Sequence, residues 1–492
     1  MMKKYICLTL VLLAFSGSTL VAGERVITLK EVITMARTRS VDAAVALNEL
    51  KTAYWEYRTF KADLLPEMNF SASSPSYNKN YSSYQLDDGS YTFVPNNHLG
   101  LNETLSIDQN IWFTGGTISL ATSLDYMMQL DGNRDRRFMS VPVLLTLNQP
   151  LFSVNHTKWK RKIEPVRYEE AKASFISATE EVTMKAISHY FNLLLAKESV
   201  LISRQNLENA EKLYEVAIAK RKMGQISEND LRQLELNVLE AKSALTDNES
   251  ELKSKTFALQ SFLAMSGDET LDPELPESLP EFTLLYQDVL NKALTNNSFV
   301  KNIRRRQVEA DYAVAAAKGE RTQIDLFVQF GLTGTNRDIT GAYHNMKTNQ
   351  VVQVGLQIPI LDWGKRKGKV KVAESNREVV RSRLQQEEQN FQQNIFILVE
   401  HFNNQQEQLQ LASKADEIAQ KRYDTNVETF MIGKISTLDL NDSQSRKDEA
   451  RQKYIQELFY YWYYYYQIRS LTLWDFMKDT NIDADFENIV RH

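Results

Sequence analysis

The sequence predicts an α+β membrane protein built from two tandem structural repeats, and three observations support this fold class. The second half of the 492-residue chain matches the first half at a fixed offset of 209 residues. In each half the hydrophobic period changes from two to a helical one at a matched proline, Pro150 or Pro359. The chain also begins with the residue pattern of a secretory signal.

The duplication is read from residue types that chance does not align in one frame. The matched pairs include Pro150 and Pro359, Tyr214 and Tyr423, Gly224 and Gly433, Ser227 and Ser436, and Asp230 and Asp439. Each copy is therefore predicted to be one structural unit. A duplicated unit of this length favours a pseudo-symmetric assembly over a catalytic cleft.

Residues 1–23 predict a secretory signal peptide. Lys3 and Lys4 precede an apolar run, which ends in the small residues before Glu24. The single cysteine, Cys7, lies inside this apolar run, so we expect neither a lipid anchor nor a disulfide in the mature protein. The formal net charge of −5 gives no support to nucleic-acid binding.

The strands of each repeat are predicted from alternating apolar residues. The alternating sets are Leu99, Leu101, Leu105, Ile107 and Ile111; Val141, Val143, Leu145 and Leu147; Ile324, Leu326, Val328, Phe330 and Leu332; and Val352, Val354, Leu356, Ile358 and Ile360. Such strands fit an outer-membrane barrel with one face toward lipid, or a soluble sandwich with that face inward. The signal peptide and the basic, tryptophan-containing junctions described below favour the barrel.

The first copy carries an insertion in its strand region. The helical elements before the strands repeat at an offset of 257 residues, as Val32 and Val289 show, and this offset exceeds the other by 48 residues. The turn signal Thr114-Gly115-Gly116-Thr117 lies in the insertion and predicts an additional hairpin, which would raise the count to six strands. We expect this turn to face the periplasm, because the strand before it descends from a Tyr- and Asn-rich outer loop at 75–97.

After each matched proline the pattern becomes that of a long helical hairpin. Heptad spacing is shown by Leu231, Leu234, Val238, Ala241, Leu245, Leu252 and Leu259, and again by Ala450, Tyr454, Leu458, Tyr461, Tyr465 and Ile468. In the first copy the helical pattern is taken to begin at about residue 165, where Pro165 is the last proline before the hairpin turn. Helices of some 60 to 70 residues are on the order of 100 Å long.

The predicted organisation follows from these periods. It comprises a signal peptide at 1–23; a first repeat at 24–270 with strands at about 66–150 and a helical hairpin at 155–265; a linker at 271–283; a second repeat at 284–475 with strands at about 323–361 and a helical hairpin at 365–470; and a tail at 476–492. Three prolines, Pro273, Pro276 and Pro280, exclude a continuous helix through the linker.

With these units in place, the sequence resembles the TolC-type outer-membrane efflux proteins over nearly the whole mature chain. The resemblance rests on the duplicated unit and on two tip motifs, Met223-Gly224-Gln225-Ile226-Ser227 and Ile432-Gly433-Lys434-Ile435-Ser436. It implies a homotrimer whose β-barrel in the outer membrane continues as an α-helical coiled-coil barrel through the periplasm. One departure is that the family barrel takes four strands from each subunit.

The resemblance also implies a function and partners. The chain would be the exit duct of a tripartite efflux or type I secretion system, passing substrates delivered by an inner-membrane pump and a periplasmic adaptor. The adaptor would dock on the tip residues, namely Gly224, Ile226, Ser227, Gly433, Ile435 and Ser436. A different class, a periplasmic coiled-coil adaptor or structural protein without a barrel, shares the long hairpins but does not require the duplicated strands.

Three aspartates are candidates for a periplasmic gate. Asp230 and Asp439 each lie six residues past a tip glycine, and Asp442 lies three residues further along the same helix face as Asp439. The resemblance implies that the last two form stacked carboxylate rings in the trimer and that Asp230 helps to hold the gate closed. The alternative is that all three are ordinary exposed aspartates near helix N-termini, where they complement the helix dipole.

Both junctions between strands and helices carry a tryptophan beside a basic cluster. Trp159 with Lys160, and Trp363 with Arg366, are candidates for anchors in the periplasmic interface of the bilayer, in contact with outer-membrane lipid. A solvated helix start would explain the basic residues but not both tryptophans.

Enzyme functions have no support in the sequence. The six histidines do not form a metal-binding spacing, and there is neither a glycine-rich phosphate loop nor a nucleophile elbow. We therefore expect no catalytic residue, no cofactor and no metal site.

Overall fold

A computed structural model describes residues 25–131, 134–266, 269–321, 323–344, 346–357, 360–432 and 434–491. The predicted signal peptide lies outside the described residues, as do the matched repeat residues Pro359 and Gly433. The chain divides into two compact units. One comprises the described residues of 1–45, 178–285 and 398–470, and the other those of 46–177, 286–397 and 471–492.

The first repeat contains short N-terminal helices, four long strands and a pair of long helices. In chain order these are β1 (Arg25–Ile27), α1 (Leu29–Arg39), α2 (Val41–Ala62), β2 (Glu67–Gln85), β3 (Tyr91–Ile111), β4 (Gly116–Gln129), β5 (Arg136–Pro150), α3 (His156–Lys222), α4 (Glu228–Phe262) and β6 (Leu271–Pro273).

The second repeat has the same order of helices but two long strands. Its elements are α5 (Tyr286–Asn296), α6 (Ser298–Gly319), β7 (Gln323–Asn336), α7 (Ile339–Ala342), β8 (Lys347–Gln357), α8 (Lys365–Met431), α9 (Thr437–Thr472) and β9 (Trp474–Asp475), and the tail after it contains β10 (Thr480–Asn481) and α10 (Phe486–Arg491). None of the helices in the described ranges combines the length and the apolarity needed to cross a bilayer.

The long strands form one six-stranded antiparallel sheet in the order β2-β3-β4-β5-β7-β8. Four of its strands come from the first repeat and two from the second. The predicted additional hairpin is confirmed, since β3 and β4 pair from His98 and Gln129 down to Ile111 and Gly116. Gly115 in its turn has φ +82°, a left-handed conformation that favours glycine.

Two expectations about the strands were wrong. Residues 75–97 do not form a loop, because β2 continues to Gln85 and β3 begins at Tyr91. They lack the alternation of Ile, Leu and Val that marks the other strands, yet they pair as a ladder of main-chain hydrogen bonds. The last strand ends at Gln357, so Ile360 lies beyond it and is fully exposed, while Ile358 is outside the described residues.

The sheet has two faces of different polarity, because residues directly opposite each other on neighbouring strands share a face. One row across five strands consists of large apolar side chains that are all at least partly exposed: Met68, Ile107, Leu120, Leu145 and Phe330. The adjacent row on the opposite face is polar over the same strands: Glu67, Asp108, Ser119, Thr146 and Gln329. We call these the apolar face and the polar face of the sheet.

The two ends of the sheet differ in what they connect. At one end the chain passes into α3 after Pro150 and approaches α8 after Gln357, and α2 and α6 precede Glu67 and Gln323. The turn at 112–115 lies at this helical end, because Ile111 pairs with Gly116 next to the end of β5. The turn at 86–90, the end of β4 with the start of β5, and the end of β7 with the start of β8 lie at the opposite end.

The long helix α3 begins at His156, in agreement with the predicted hairpin start at 155 and nine residues before Pro165, where the helical pattern was taken to begin. A proline inside a helix removes one main-chain hydrogen bond, and here the helix continues through it. In the first unit, the heptad positions Leu458, Tyr461, Tyr465 and Ile468 are buried.

The linker between the repeats accepts hydrogen bonds from side chains of α9, which belongs to the same compact unit up to residue 470. The Tyr461 hydroxyl donates to the Pro280 carbonyl over 3.1 Å, and the Trp462 indole N–H donates to the Glu277 carbonyl over 3.1 Å. The tyrosine-rich run at 460–466 thus includes residues that fix the non-helical linker, in agreement with a packing role.

Candidate gate, tips and membrane interface

The first hairpin tip turns at Gly224, between α3 and α4. This glycine has φ +71°, and a Cβ placed on it would have no atom within 4 Å. The Gln225 N–H donates to the Lys220 carbonyl over 2.9 Å and closes the end of α3. Backbone conformation, not crowding, therefore accounts for the glycine at this turn.

The second tip repeats the same closing bond at the offset of the duplication. The Lys434 N–H donates to the Thr429 carbonyl over 3.1 Å, and these residues match Gln225 and Lys220. Gly433 itself lies outside the described residues. Ile432 is exposed beside the turn, as Met223 is in the first tip, and Ile226 and Ile435 are half-buried.

Asp230 and Asp439 hold equivalent positions in two capping arrangements. In the first hairpin the Ser227 N–H and hydroxyl donate to the Asp230 carboxylate over 3.1 and 2.6 Å, and the Asp230 N–H donates to the Ser227 hydroxyl. In the second hairpin Ser436 and Asp439 make the same three bonds, over 3.2, 2.7 and 3.2 Å. Each pair satisfies main-chain donors at the start of a helix.

Asp442 has a different environment from the two capping aspartates. Its carboxylate accepts from the Arg422 guanidinium of α8 over 2.8 Å and lies 3.4 Å from Arg446 on its own helix. The matching positions of the first hairpin hold Leu213, Gln233 and Asn237. This charged group therefore belongs to the second hairpin alone.

The contacts of all three aspartates within the chain keep them ionised. The Ser227 hydroxyl lowers the pKa of Asp230, and the Ser436 hydroxyl does the same for Asp439. The hydrogen bond from Arg422, followed by the charges of the two arginines, lowers the pKa of Asp442. Asp230 and Asp439 are thus helix-capping residues, whereas Asp442 bonds to an arginine of the neighbouring helix and does not cap its own helix.

The two predicted anchor tryptophans differ in exposure. Trp159 is half-buried, with its ring 5.7 Å from the Tyr312 ring and the Lys162 ammonium 4.8 Å above it. Trp363 is 89% exposed and has φ +51°. Of their basic neighbours, Lys160 is exposed and Arg366 donates to the Arg321 carbonyl over 2.7 Å.

Sequence reasoning missed two aromatic residues at the same end of the sheet. Trp112 and Phe113 lie in the turn between β3 and β4, and both are exposed. The Arg161 guanidinium lies 3.8 Å from the Trp112 ring centre, and Asn155, at the start of α3, donates to the Trp112 carbonyl over 2.9 Å. The sequence contained a signal for them, because only Thr114 separates the aromatic pair from the turn glycines.

The duplicated hairpins and the two-faced sheet agree with a comparison of the chain with known families. The sequence profile of the family described as outer membrane efflux protein matches residues 114–264 and 289–458. The chain belongs to this family. The two matched segments correspond to the two repeats, and the TolC-type resemblance is confirmed.

Solved structures share the fold of this efflux protein at low sequence identity. The Campylobacter jejuni CmeC outer membrane channel is 15% identical, with 94% of this chain and 88% of that chain covered and a TM-score of 0.66. The outer-membrane channel OprN is 14% identical, with 90% and 89% covered and a TM-score of 0.64. The open-state Neisseria gonorrhoeae MtrE outer membrane channel is 15% identical, with 90% and 88% covered and a TM-score of 0.58. No curated protein sequence matches the chain.

Family membership gives the efflux protein its general role and location. It is an outer-membrane efflux channel, and its helical part lies in the periplasm. The alternative of a periplasmic adaptor without membrane strands is not supported, because the family is an outer-membrane one and the strands form a single two-faced sheet.

Proposed function

We propose that three copies of this efflux channel close one β-barrel, which continues into a periplasmic tunnel of helical hairpins and serves as the exit duct for an inner-membrane pump and its adaptor. The observation that carries the proposal is the six-stranded sheet, with one apolar face and two open edges. Three copies of six strands give eighteen strands, a size at which barrels enclose an aqueous channel.

The open edges require a partner in the bilayer. Within the described residues, β2 and β8 each pair on one side only. An unpaired main-chain group in hydrocarbon costs several kcal/mol, so lipid-exposed sheet edges do not occur. Since all five ladders are antiparallel, β2 and β8 run in opposite directions, and β2 of one copy can extend the antiparallel pattern onto β8 of the next.

The two faces of the sheet then have separate environments. The exposed apolar row that includes Ile107, Leu120 and Phe330 would contact lipid, and the polar row that includes Asp108 and Thr146 would line water. The aromatic and basic residues at the helical end, among them Trp112 and Trp363, would lie at the periplasmic headgroups.

The gate would be formed by the second hairpin of each copy. In the trimer, Asp439 and Asp442 would make two rings of three carboxylates, and such rings select ions at a pore mouth. The lowered pKa values of the single chain support charged rings at neutral pH. The Arg422–Asp442 bond joins α8 to α9, so the two helices of the hairpin and their carboxylates would move as one unit.

The partners would meet the channel at the tips. Met223 and Ile432 expose apolar side chains beside the two turns, which are closed by equivalent main-chain bonds. Exposed apolar groups on equivalent turns suit a repeating adaptor contact. Drug, metal and protein export systems would share such an outlet.

Disulfide cross-linking between the sheet edges tests the closure. The only native cysteine is Cys7, so engineered cysteines are free of background in the mature chain. Ser71→Cys on β2 would be combined in turn with Asn349→Cys, Val351→Cys and Gln353→Cys on β8. We expect at least one pair to give covalently closed trimers on non-reducing gels of outer membranes.

A matched pair controls for random collisions. Ser71→Cys with Ser119→Cys places the second cysteine on β4, two strands away in the same sheet, where no bridge can form. Absence of inter-subunit bridges from every edge pair would contradict the proposed barrel.

A further inference from the structure

The hairpin of β2 and β3 extends past the rest of the sheet. β4 pairs with β3 only as far as His98, whereas β2 and β3 remain paired up to Gln85 and Tyr91. Residues 79–97 therefore form a two-stranded ribbon with a turn at 86–90. This ribbon lies at the end of the sheet away from the helices, which the proposed barrel places at the cell surface.

One side of the ribbon continues the apolar face of the sheet. Along β3 the residues of that face are Ile107, Leu105 and Leu99, and the same alternation continues through Pro95, Phe93 and Tyr91. Their partners on β2 include Tyr77 and Tyr81. Tyr81, Tyr91 and Phe93 on this side of the ribbon, and Tyr77 one row below it, are between 60% and 74% exposed. We call this side the outer face of the ribbon.

The opposite side of the ribbon is predominantly polar. It carries Asn80, Ser82 and Tyr84 on β2, with Asn96, Val94 and Thr92 opposite them. The aromatic residues are therefore concentrated on the side that faces away from the proposed barrel lumen.

Two basic residues lie on the same outward side. Arg136 belongs to the row of Leu99 and Met128, and Lys79 lies one row further out. Both are exposed, and neither is in an ion pair within the described ranges. Acidic residues near this side are Asp131, which accepts from Asn97, the residue opposite Lys79; Asp135, which pairs with Arg137 and Arg337; and Glu103, two rows below Arg136 on the same face.

We propose that the outer face of the ribbon binds the phosphorylated saccharide headgroups of the glycolipid in the outer leaflet. Flat, exposed rings pack against the C–H faces of sugars, and the intervening, exposed Ser83 and Gln85 offer hydrogen bonds to hydroxyl groups. Lys79 and Arg136 supply charge-assisted bonds to phosphate. The inference rests on the proposed barrel orientation, in which this side continues the lipid-contacting face.

The chemistry of the ribbon favours this occupant over acyl chains. The apolar rows lower in the sheet, such as that of Ile107 and Leu145, are almost free of polar side chains. The ribbon instead alternates rings with amides, hydroxyls and a cation on the same side. That mixture suits the sugar and phosphate layer above the hydrocarbon.

A titration of the detergent-solubilised full chain with fluorescent lipopolysaccharide tests the proposal. The outer-face variant is Tyr81→Ser with Tyr91→Ser and Phe93→Ser, and the matched control on the opposite side is Tyr84→Ser with Val94→Ser. We expect the outer-face variant to bind at least about tenfold more weakly, as the loss of three aromatic contacts predicts, and the control to stay within about twofold. Lys79→Gln with Arg136→Gln should weaken binding and reduce its salt dependence.

Several results would overturn the proposal. These are equal weakening by the outer-face and control variants, unchanged binding in both, or equal competition by phosphatidylglycerol, which has phosphate without the saccharide. Loss of trimers in the outer-face variant without any lipid would identify a contact between copies instead. The titration reads binding whatever the oligomeric state, so failure of the β2–β8 cross-link would contradict the barrel and not the glycolipid site.

Discussion

The two repeats agree in their helices and differ in their strands. α3 and α8 each have 67 residues, and α4 and α9 have 35 and 36. The strand regions contain four strands in the first repeat and two in the second. A hairpin adds two strands and returns the chain to the same end of the sheet, so the sheet can grow without changing where the helices begin. The long helices cannot differ in length in the same way, because both hairpins end in matching tip motifs.

The tips show the same pattern on a smaller scale. The closing main-chain bonds and the serine–aspartate caps are equivalent, whereas the Arg422–Asp442 pair has only Leu213 and Gln233 as counterparts. The shared features build the turn, and the unshared ones are free to serve the gate.

The largest effect is expected at the tip glycines. Gly224→Leu and Gly433→Leu should abolish export while trimers and membrane insertion persist, since a branched residue is strained at φ +71°, observed for Gly224. Export assays with quantification of trimers would measure this. Gly224→Asn is the control, because asparagine tolerates the left-handed region. Normal export by Gly433→Leu would count decisively against the tips as docking surfaces.

Cysteine labelling tests the added hairpin of the first repeat. Thr117→Cys lies beside the turn at the helical end, so a membrane-impermeant reagent on intact cells should fail to label it. Asp88→Cys, in the turn at the other end, should be labelled under the same conditions. Efficient labelling at position 117 would place that turn outside and reject the orientation.

A buried charge distinguishes the helices of the two repeats. Glu180 is 1% exposed and accepts from Arg37 over 2.8 Å and from Arg469 over 3.1 Å, whereas the matching Gln389 is exposed. Glu180→Ala should cost about 3 to 5 kcal/mol, because it removes the carboxylate between two arginines. Thermal dissociation of the trimer would report the loss, with Gln389→Ala as a control that should change little. Equal melting of the two variants would refute the asymmetry.

Neutralising the proposed rings should have a moderate effect. Asp439→Asn with Asp442→Asn should reduce cation selectivity and weaken block by multivalent cations from the periplasmic side, because the change removes charge but little volume. Six carboxylates around one opening should also raise each other's pKa, against the lowering found within the chain. Planar-bilayer recordings measure both properties, with Gln233→Asn in the first hairpin as control. Unchanged selectivity and block would leave Asp439 as a helix cap and Asp442 as the ion-pair partner of Arg422, with no role in a gate.

The smallest effect concerns the two caps, which should respond alike. Ser227→Ala and Ser436→Ala should each raise the rate of proteolysis at their own turn about fivefold, since each removes a helix cap. The capped aspartates have lowered pKa values, so their contribution to stability is complete above the ordinary aspartate pKa and disappears as the pH falls through the lowered one. The difference from the unmodified protein should therefore shrink in acid. A response at one tip only would contradict their equivalence.

The features that the sequence predicted are those set by local chemistry. Gly115 and Gly224 occupy left-handed positions that restrict the residue type, and alternation of Ile, Leu and Val identified the apolar face. The ribbon at 79–97 was missed, because its main-chain pairing does not depend on its Asn and Ser side chains. The Arg422–Asp442 bond was missed for another reason. Its two residues are 20 positions apart in sequence and lie on different helices. Periodicity within one helix does not specify which side chains meet across the pair.

The open edges of the sheet also bear on how the channel is made. A lone chain presents unpaired strands at β2 and β8 together with a broad apolar face, the combination that templates aggregation. Before its copies meet, such a chain needs a holding factor or must insert and associate in one step. The yield of channels should therefore depend on the local concentration of newly exported chains, and overproduction should lead to aggregates rather than to stable monomers.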